Sequence, residues 1–140
     1  TARAPLEFDL VVVKPPVAVS TAWAYGALDA DPNGERRTAE GDLDVLAGWL
    51  ESDGLHALAG ITCNDFERVV LPAHPEIGRA RDVLGEAGAS WAMMSGSGAA
   101  VFGVFTDAEA ARQAGDAVAR RLPDHEVLVT RSAARGAEVL

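Results

Sequence analysis

Two apolar runs, Ser90 to Met94 and Ala100 to Phe105, are separated by the five residues Ser95-Gly96-Ser97-Gly98-Ala99. Apolar runs of this length bounded by glycine read as buried strands, so the link between them is a tight loop carried on rigid elements. Glycine reaches φ > 0 and presents no Cβ, which lets backbone N–H groups approach a phosphate closely. The same residues also suit an ordinary hairpin turn. The pattern fixes two neighbouring strands in the second half of the chain, and the rest must build a core around them.

Phe8 to Val13 is rich in β-branched residues and is stopped by Lys14-Pro15-Pro16, so it reads as a strand ended by proline. Ser20 or Thr21 offers a hydroxyl cap to a helix carrying Trp23, Ala24, Ala27 and Leu28, which ends in the loop 29–34. Glu35 to Gly41 is polar, and Leu43, Leu46, Trp49 and Leu50 recur at helical spacing within 42–50. A short helix over 65–71 is expected to be capped by Asn64 or Asp65. Pro75, tolerated in a first turn, starts another helix to about Ala87 with Ile77, Val83 and Leu84 inward. Thr106 reads as the cap of a long alanine-rich helix opened by Asp107, with Glu109 completing a capping box. Arg120, Arg121 and Leu122 close that helix before Pro123, and His125 to Thr130 is the last strand. The order β-α-β-β-α-β, with extra helices in the first crossover, predicts an α+β, two-layer, ferredoxin-like split arrangement.

A chain of 140 residues is one domain with a sufficient core. The net charge of −9, from 21 acidic and 12 basic residues, argues against nucleic-acid and anionic-membrane partners. No apolar run approaches the ~20 residues of a membrane span, and no signal peptide opens the sequence. The single cysteine, Cys63, fits a reducing cytoplasmic setting and reads as a small buried hydrophobe. His56, His74 and His125 lack metal-ligand spacing and read as surface or helix-end residues.

Three segments together resemble one family. Lys14-Pro15-Pro16 with Val19-Ser20-Thr21 and Tyr25 resembles the start of the C-terminal domain of the 4-diphosphocytidyl-2-C-methyl-D-erythritol kinases. Cys63-Asn64-Asp65-Phe66-Glu67, then Pro75-Glu76-Ile77, resembles the family's Asn-Asp-Leu-Glu segment and following helix. Met94 to Gly103 resembles the third signature of the GHMP kinase superfamily, and the likeness runs from about Val11 to Val129. It implies ATP-dependent phosphorylation of a hydroxyl of the methylerythritol moiety in the non-mevalonate isoprenoid pathway, with Mg2+ accompanying ATP. The cytidine diphosphate end would serve as a handle. The family's phosphate loop, catalytic aspartate and lysine lie in an N-terminal domain with no counterpart here. The resemblance therefore implies that residues 1–140 are the C-terminal domain of such a kinase, not active alone. Such a half is expected to expose the face that met its N-terminal domain, and to dimerise through it.

The resemblance carries Tyr25 over as the platform that stacks on cytosine, with Ala22 and Thr21 at the pocket edge. The bland alternative is a helix tyrosine half-buried against the core. Ser95, Gly96, Ser97, Gly98 and Ala99 would approach the nucleotide phosphates, or form a structural turn that lets two domains pack. Asn64, Asp65 and Glu67 suggest acid–base work, although a capped helix explains them more simply. Lys14, the only lysine, is either a phosphate ligand or a surface charge, and Arg36 and Arg37 lie in the polar loop. Where the family has glycine, in Pro-x-Gly-Val-Ser-Thr, this chain has Ala18, strained by ~1 kcal/mol if the backbone there has φ > 0. Rival readings are a homoserine or mevalonate kinase of the same superfamily, for which a cytidine platform has no purpose, and a free-standing ferredoxin-like module binding a small ligand or protein.

Overall fold

The computed structural model describes residues 7–34, 48, 59 and 62–133. The helix expected over 42–50, the polar segment 35–41 with Arg36 and Arg37, and His56 lie outside the described residues. β1 (Asp9–Lys14) and α1 (Thr21–Asp29) are followed by α2 (Glu67–Ala73), α3 (Pro75–Glu86), β2 (Trp91–Met94), β3 (Val101–Phe105), α4 (Ala108–Arg121) and β4 (Glu126–Arg131). The strands form one sheet in the order β2-β3-β1-β4. Every pair is antiparallel, with Val12 opposite both Phe102 and Leu128. The class is α+β, a four-stranded antiparallel sheet with helices.

Alternation along β1 sends Val11 and Val13 into the core, both fully buried. Val101 and Phe105 of β3 face the same way, against α3 and α4. Ile77, Ala80, Val83 and Leu84 form the buried stripe of α3, and Ala111, Ala114 and Val118 that of α4. This 3.6-residue spacing is what the periodicity of the sequence predicts. On the opposite face of the sheet Trp91 meets Phe102 edge-on at 5.4 Å.

Small residues decide how closely the layers approach. Gly103 faces α3, where an added Cβ would lie 3.1 Å from Ala89 Cβ and 3.4 Å from Leu84 Cβ. Gly115 on α4 lies against β4, and a Cβ there would overlap the Val129 side chain. Large side chains at either position would push a helix off the sheet.

Several expected ends move. α4 is capped by Asp107, whose Oδ1 accepts from Ala110 N at 2.8 Å. Thr106 does not cap, because Asp107 holds the extended conformation that a cap requires and its carboxylate favours the positive helix start. Glu109 pairs with Arg112 and Gln113 instead of closing a capping box. α2 begins at Glu67, after a turn through Asp65 and Phe66, and has no side-chain cap. α1 buries only Ala24; Trp23 is exposed and meets His74 edge-on at 5.8 Å. Cys63 is exposed, contrary to the buried role expected from its type, because it precedes the Asn64 turn at the rim of the fold. His125 lies beyond the end of α4 as expected, but both ring nitrogens are buried without partners. No described residue other than glycine has φ > 0, so Ala18 carries no such strain.

The packing makes two opposite predictions. Gly115→Val should destabilise the fold by about 1–3 kcal/mol through overpacking against β4. Gly85→Ala, at an exposed α3 position with nothing within 4 Å, should stabilise it by about 0.5–1 kcal/mol. Urea unfolding midpoints check both, and equal midpoints for Gly115→Val and wild type would contradict the packing described.

Candidate functional site

The Gly-rich segment folds as the connection between β2 and β3. Ser95 N donates to Ala100 O at 2.8 Å and Gly98 N to Ser95 O at 3.0 Å, closing a compact loop. Gly96 (φ +54°) and Gly98 (φ +96°) occupy the conformation for which glycine was expected. Gly98 is also packed, since an added Cβ would stand 3.2 Å from Met94 Sδ and 3.4 Å from Val19 Cγ2.

After the two prolines, residues 17–20 lead the chain into α1. Ser20 is its cap, with Oγ accepting from Trp23 N at 3.2 Å. Thr21 is thereby free to point at the loop, and its Oγ1 lies 3.1 Å from Ser97 Oγ. One turn on, the Tyr25 side chain stands out from the helix, 56% exposed, with the Phe66 ring edge-on at 4.9 Å.

Tyr25 and the loop residues Ser95 and Gly96 line one cavity of about 480 Å3. Leu28, Phe66, Met93 and Phe102 give it an apolar floor, and Cys63, Asn64 and Asp65 a polar side. Thr21 and Ser97 meet beside it, while Ala22 is exposed on α1 and is not among that cavity's lining residues. Gly98 and Ala99 form the return of the loop towards β3. A second cavity, of about 550 Å3, shares Cys63, Asn64 and Asp65 and is completed by Pro32, Asn33, Glu67 and Arg68.

The segment joining these elements is the part that sequence reasoning missed. Asn64 Nδ2 donates to Met94 O at 2.8 Å and to Gly96 O at 2.7 Å, while its Oδ1 accepts from Phe66 N at 3.1 Å. Glu67 Oε1 accepts from Met94 N at 2.9 Å, and its Oε2 is braced by Arg81 at 3.3 Å. Asn64 and Glu67 therefore grip the end of β2 rather than cap a helix. Arg68 bridges Asp31 at 3.0 Å and Asp65 at 2.7 Å, tying the end of α1 to α2. The only sequence signal for these ties is the density of polar groups in Asn64-Asp65-Phe66-Glu67-Arg68. Their targets lie about thirty residues away in either direction. Lys14 stands exposed at the end of β1, opposite Glu126 in the register.

The Asn33 backbone N–H, and after it Arg68, hold the Asp31 carboxyl below its ordinary value of 3.8. A carboxyl depressed in the folded state contributes stability above its unfolded value, lost as pH falls through the lowered folded one. Asp31→Asn should therefore be less stable than wild type at neutral pH, with the difference closing in acid well below 3.8. Urea titrations at both pH values check this, and a difference that persists unchanged in acid would contradict it.

Among the described residues no group of three or more His, Cys, Asp or Glu side chains is placed to hold a metal ion. No helix among them is long and apolar enough to cross a membrane.

A family model for the C-terminal part of GHMP kinases matches residues 43–124. A 4-diphosphocytidyl-2-C-methyl-D-erythritol kinase of Synechococcus sp. (strain JA-3-3Ab) is 41% identical over 131 residues, 91% of this chain and 42% of the relative. One from Mesorhizobium japonicum is 37% identical over 131 residues, 92% of this chain and 41% of the relative. Among solved structures, a 4-(cytidine 5'-diphospho)-2C-methyl-D-erythritol kinase superposes with a TM-score of 0.70 at 23% identity, over 95% of this chain and 46% of that one. A homoserine kinase from Cytophaga hutchinsonii gives 0.62 at 19%, over 90% of this chain and 41% of that one. The chain spans less than half the length of each of these proteins. With more than half of its residues matched by the family model, and with the sheet, helices and Gly-rich loop arranged as described, the chain belongs to the GHMP kinase C-terminal family.

Proposed function

We propose that this chain is the C-terminal domain of an ATP-dependent small-molecule kinase acting on 4-diphosphocytidyl-2-C-methyl-D-erythritol, in which it supplies the base-binding wall of the substrate pocket. The observation that carries this reading is the shared cavity of Tyr25 and the Ser95–Gly96 loop. An exposed aromatic face suits a nucleobase, and a backbone-rich loop with two left-handed glycines suits phosphate oxygens. The names of the relatives point to the same substrate class.

Residues 1–140 form, in this reading, one domain with the ferredoxin-like split arrangement, supported by the β2-β3-β1-β4 order. Thr21, Ala22 and Tyr25 take the cytidine end, and Ser95, Gly96, Ser97, Gly98 and Ala99 face the phosphates. Phosphoryl transfer depends on positioning and on donors around the moving group, which such a loop provides. The attacking hydroxyl is the substrate's own, while the residue that accepts its proton and the groups that cradle ATP belong to an N-terminal kinase domain. Mg2+, which accompanies ATP, belongs with that domain in this reading. The partners are thus ATP, the cytidine diphosphate substrate and that domain, with neither nucleic acid nor membrane, in the cytoplasm. The chain alone pairs as a homodimer through the face that the N-terminal domain would cover, and shows no turnover.

The test is Tyr25→Ala with CMP as ligand. Stacking contributes about 1–3 kcal/mol, so affinity should fall by about fivefold or more. Tyr25→Phe should retain it, and thermal stability should be nearly unchanged because the ring is exposed. Wild-type affinity in Tyr25→Ala, measured by calorimetric titration, would remove the base-platform reading.

A further inference from the structure

We propose that Asn64 is a positioning residue that sets the spacing between the base platform and the Gly-rich loop, and so the preference for a nucleoside diphosphate over the nucleoside alone. This deepens the reading of Tyr25 as base platform and of the loop as phosphate-facing, and rests on it.

The geometry is specific to a carboxamide. Both Nδ2 hydrogens are spent on carbonyl oxygens, those of Met94 and Gly96, while Oδ1 faces the Phe66 N–H. Two carbonyls on one side and an amide on the other fix which atom is nitrogen, and a carboxylate cannot make the pair of donations. The acceptors belong to opposite sides of Ser95, so the single side chain fixes both the end of β2 and the first turn of the loop. Its third partner is the residue whose ring abuts Tyr25 at 4.9 Å. One side chain therefore touches the backbone of both ends of the cavity it lines. Glu67, gripping Met94 N, prevents β2 from sliding away from this contact.

A nucleoside diphosphate meets both ends of the cavity at once, whereas a nucleoside meets only the platform. A change in their separation is felt by the first ligand and not by the second. Phe66 meets Tyr25 edge-on, so the loop is referenced to an aromatic–aromatic contact. Thr21 also ties Ser97 to the start of α1, but among the described residues Asn64 alone links the Phe66 side of the platform to the first turn of the loop.

Asn64→Asp keeps the size and the acceptor for Phe66 N but places negative charge against two carbonyl oxygens. Asn64→Ser removes the bridge without adding charge, which separates a lost bridge from repulsion or misfolding. NMR-detected titrations of the 140-residue chain with cytidine and with CDP read the outcome. CDP affinity should fall about tenfold or more in both variants, as misplacement of a positioned group does. Cytidine affinity should stay within about twofold, because stacking on an aromatic face needs no contact with the loop. A structural role alone would weaken both ligands together. Parallel losses, or an unchanged CDP-to-cytidine ratio, overturn the role of Asn64 and leave the base platform standing. Absence of binding by the wild-type chain to either ligand overturns the platform reading and this inference with it.

Discussion

Met94 ends an edge strand; its backbone N–H is claimed by Glu67, the first residue of α2, and its C=O by Asn64 just before it. Unpaired groups on a sheet edge invite either water or another strand. Here Glu67 and Asn64 cover them, and Asn64 extends the grip to Gly96. The loop, the cavity wall and the position of Phe66 all follow from this contact. Without it the loop would hang from a short hairpin, and α2 would be held to the fold by its apolar packing around Val70.

The remainder of the fold is arranged so that this edge can be held in place. α3 and α4 bury aliphatic stripes on one face of the sheet, and glycines at the closest approaches let them settle onto it. Burial of such side chains contributes on the order of 1.5–3 kcal/mol each, so the layer is the rigid part of the molecule. α1 differs: it buries only Ala24 and presents Trp23 and Tyr25 outward. Its ends are tied by polar contacts, Thr21 to Ser97 at one and Asp31 to Arg68 at the other, while Ala24 and the Tyr25–Phe66 ring contact hold its middle. A helix held by its ends over an open cavity offers side chains to a ligand rather than to a core.

What could be read from the sequence divides along the same line. β1 with its proline stop, the stripe of α3, the hairpin strands and the order of elements follow from local rules of period and breaker residues. The left-handed glycines of the loop were legible because no other residue adopts that conformation at so little cost. The family likeness rested on the same segments, and the family model bears it out. Asn64, Asp65 and Glu67 were read as local, as acid–base groups or a helix start, because nothing in the neighbouring residues reveals a target in another element. The exposure of Cys63 escaped for a related reason. Residue type gives an average burial, whereas the turn at Asn64 decides where this one points. The cap of α4 moved by one residue because Thr106 and Asp107 both qualify, and only the backbone conformation separates them.

The central claim is that the start of α1, the segment at Asn64 and the Gly-rich loop form one binding surface. Backbone amide chemical shifts of the chain, followed during titration with CDP, test it most directly. The account predicts that Thr21, Tyr25, Phe66, Ser95, Gly96 and Ser97 shift together along one saturation curve, while α4 and β4 remain still. Shifts that saturate separately at the platform and the loop, or that concentrate on β4, would contradict it.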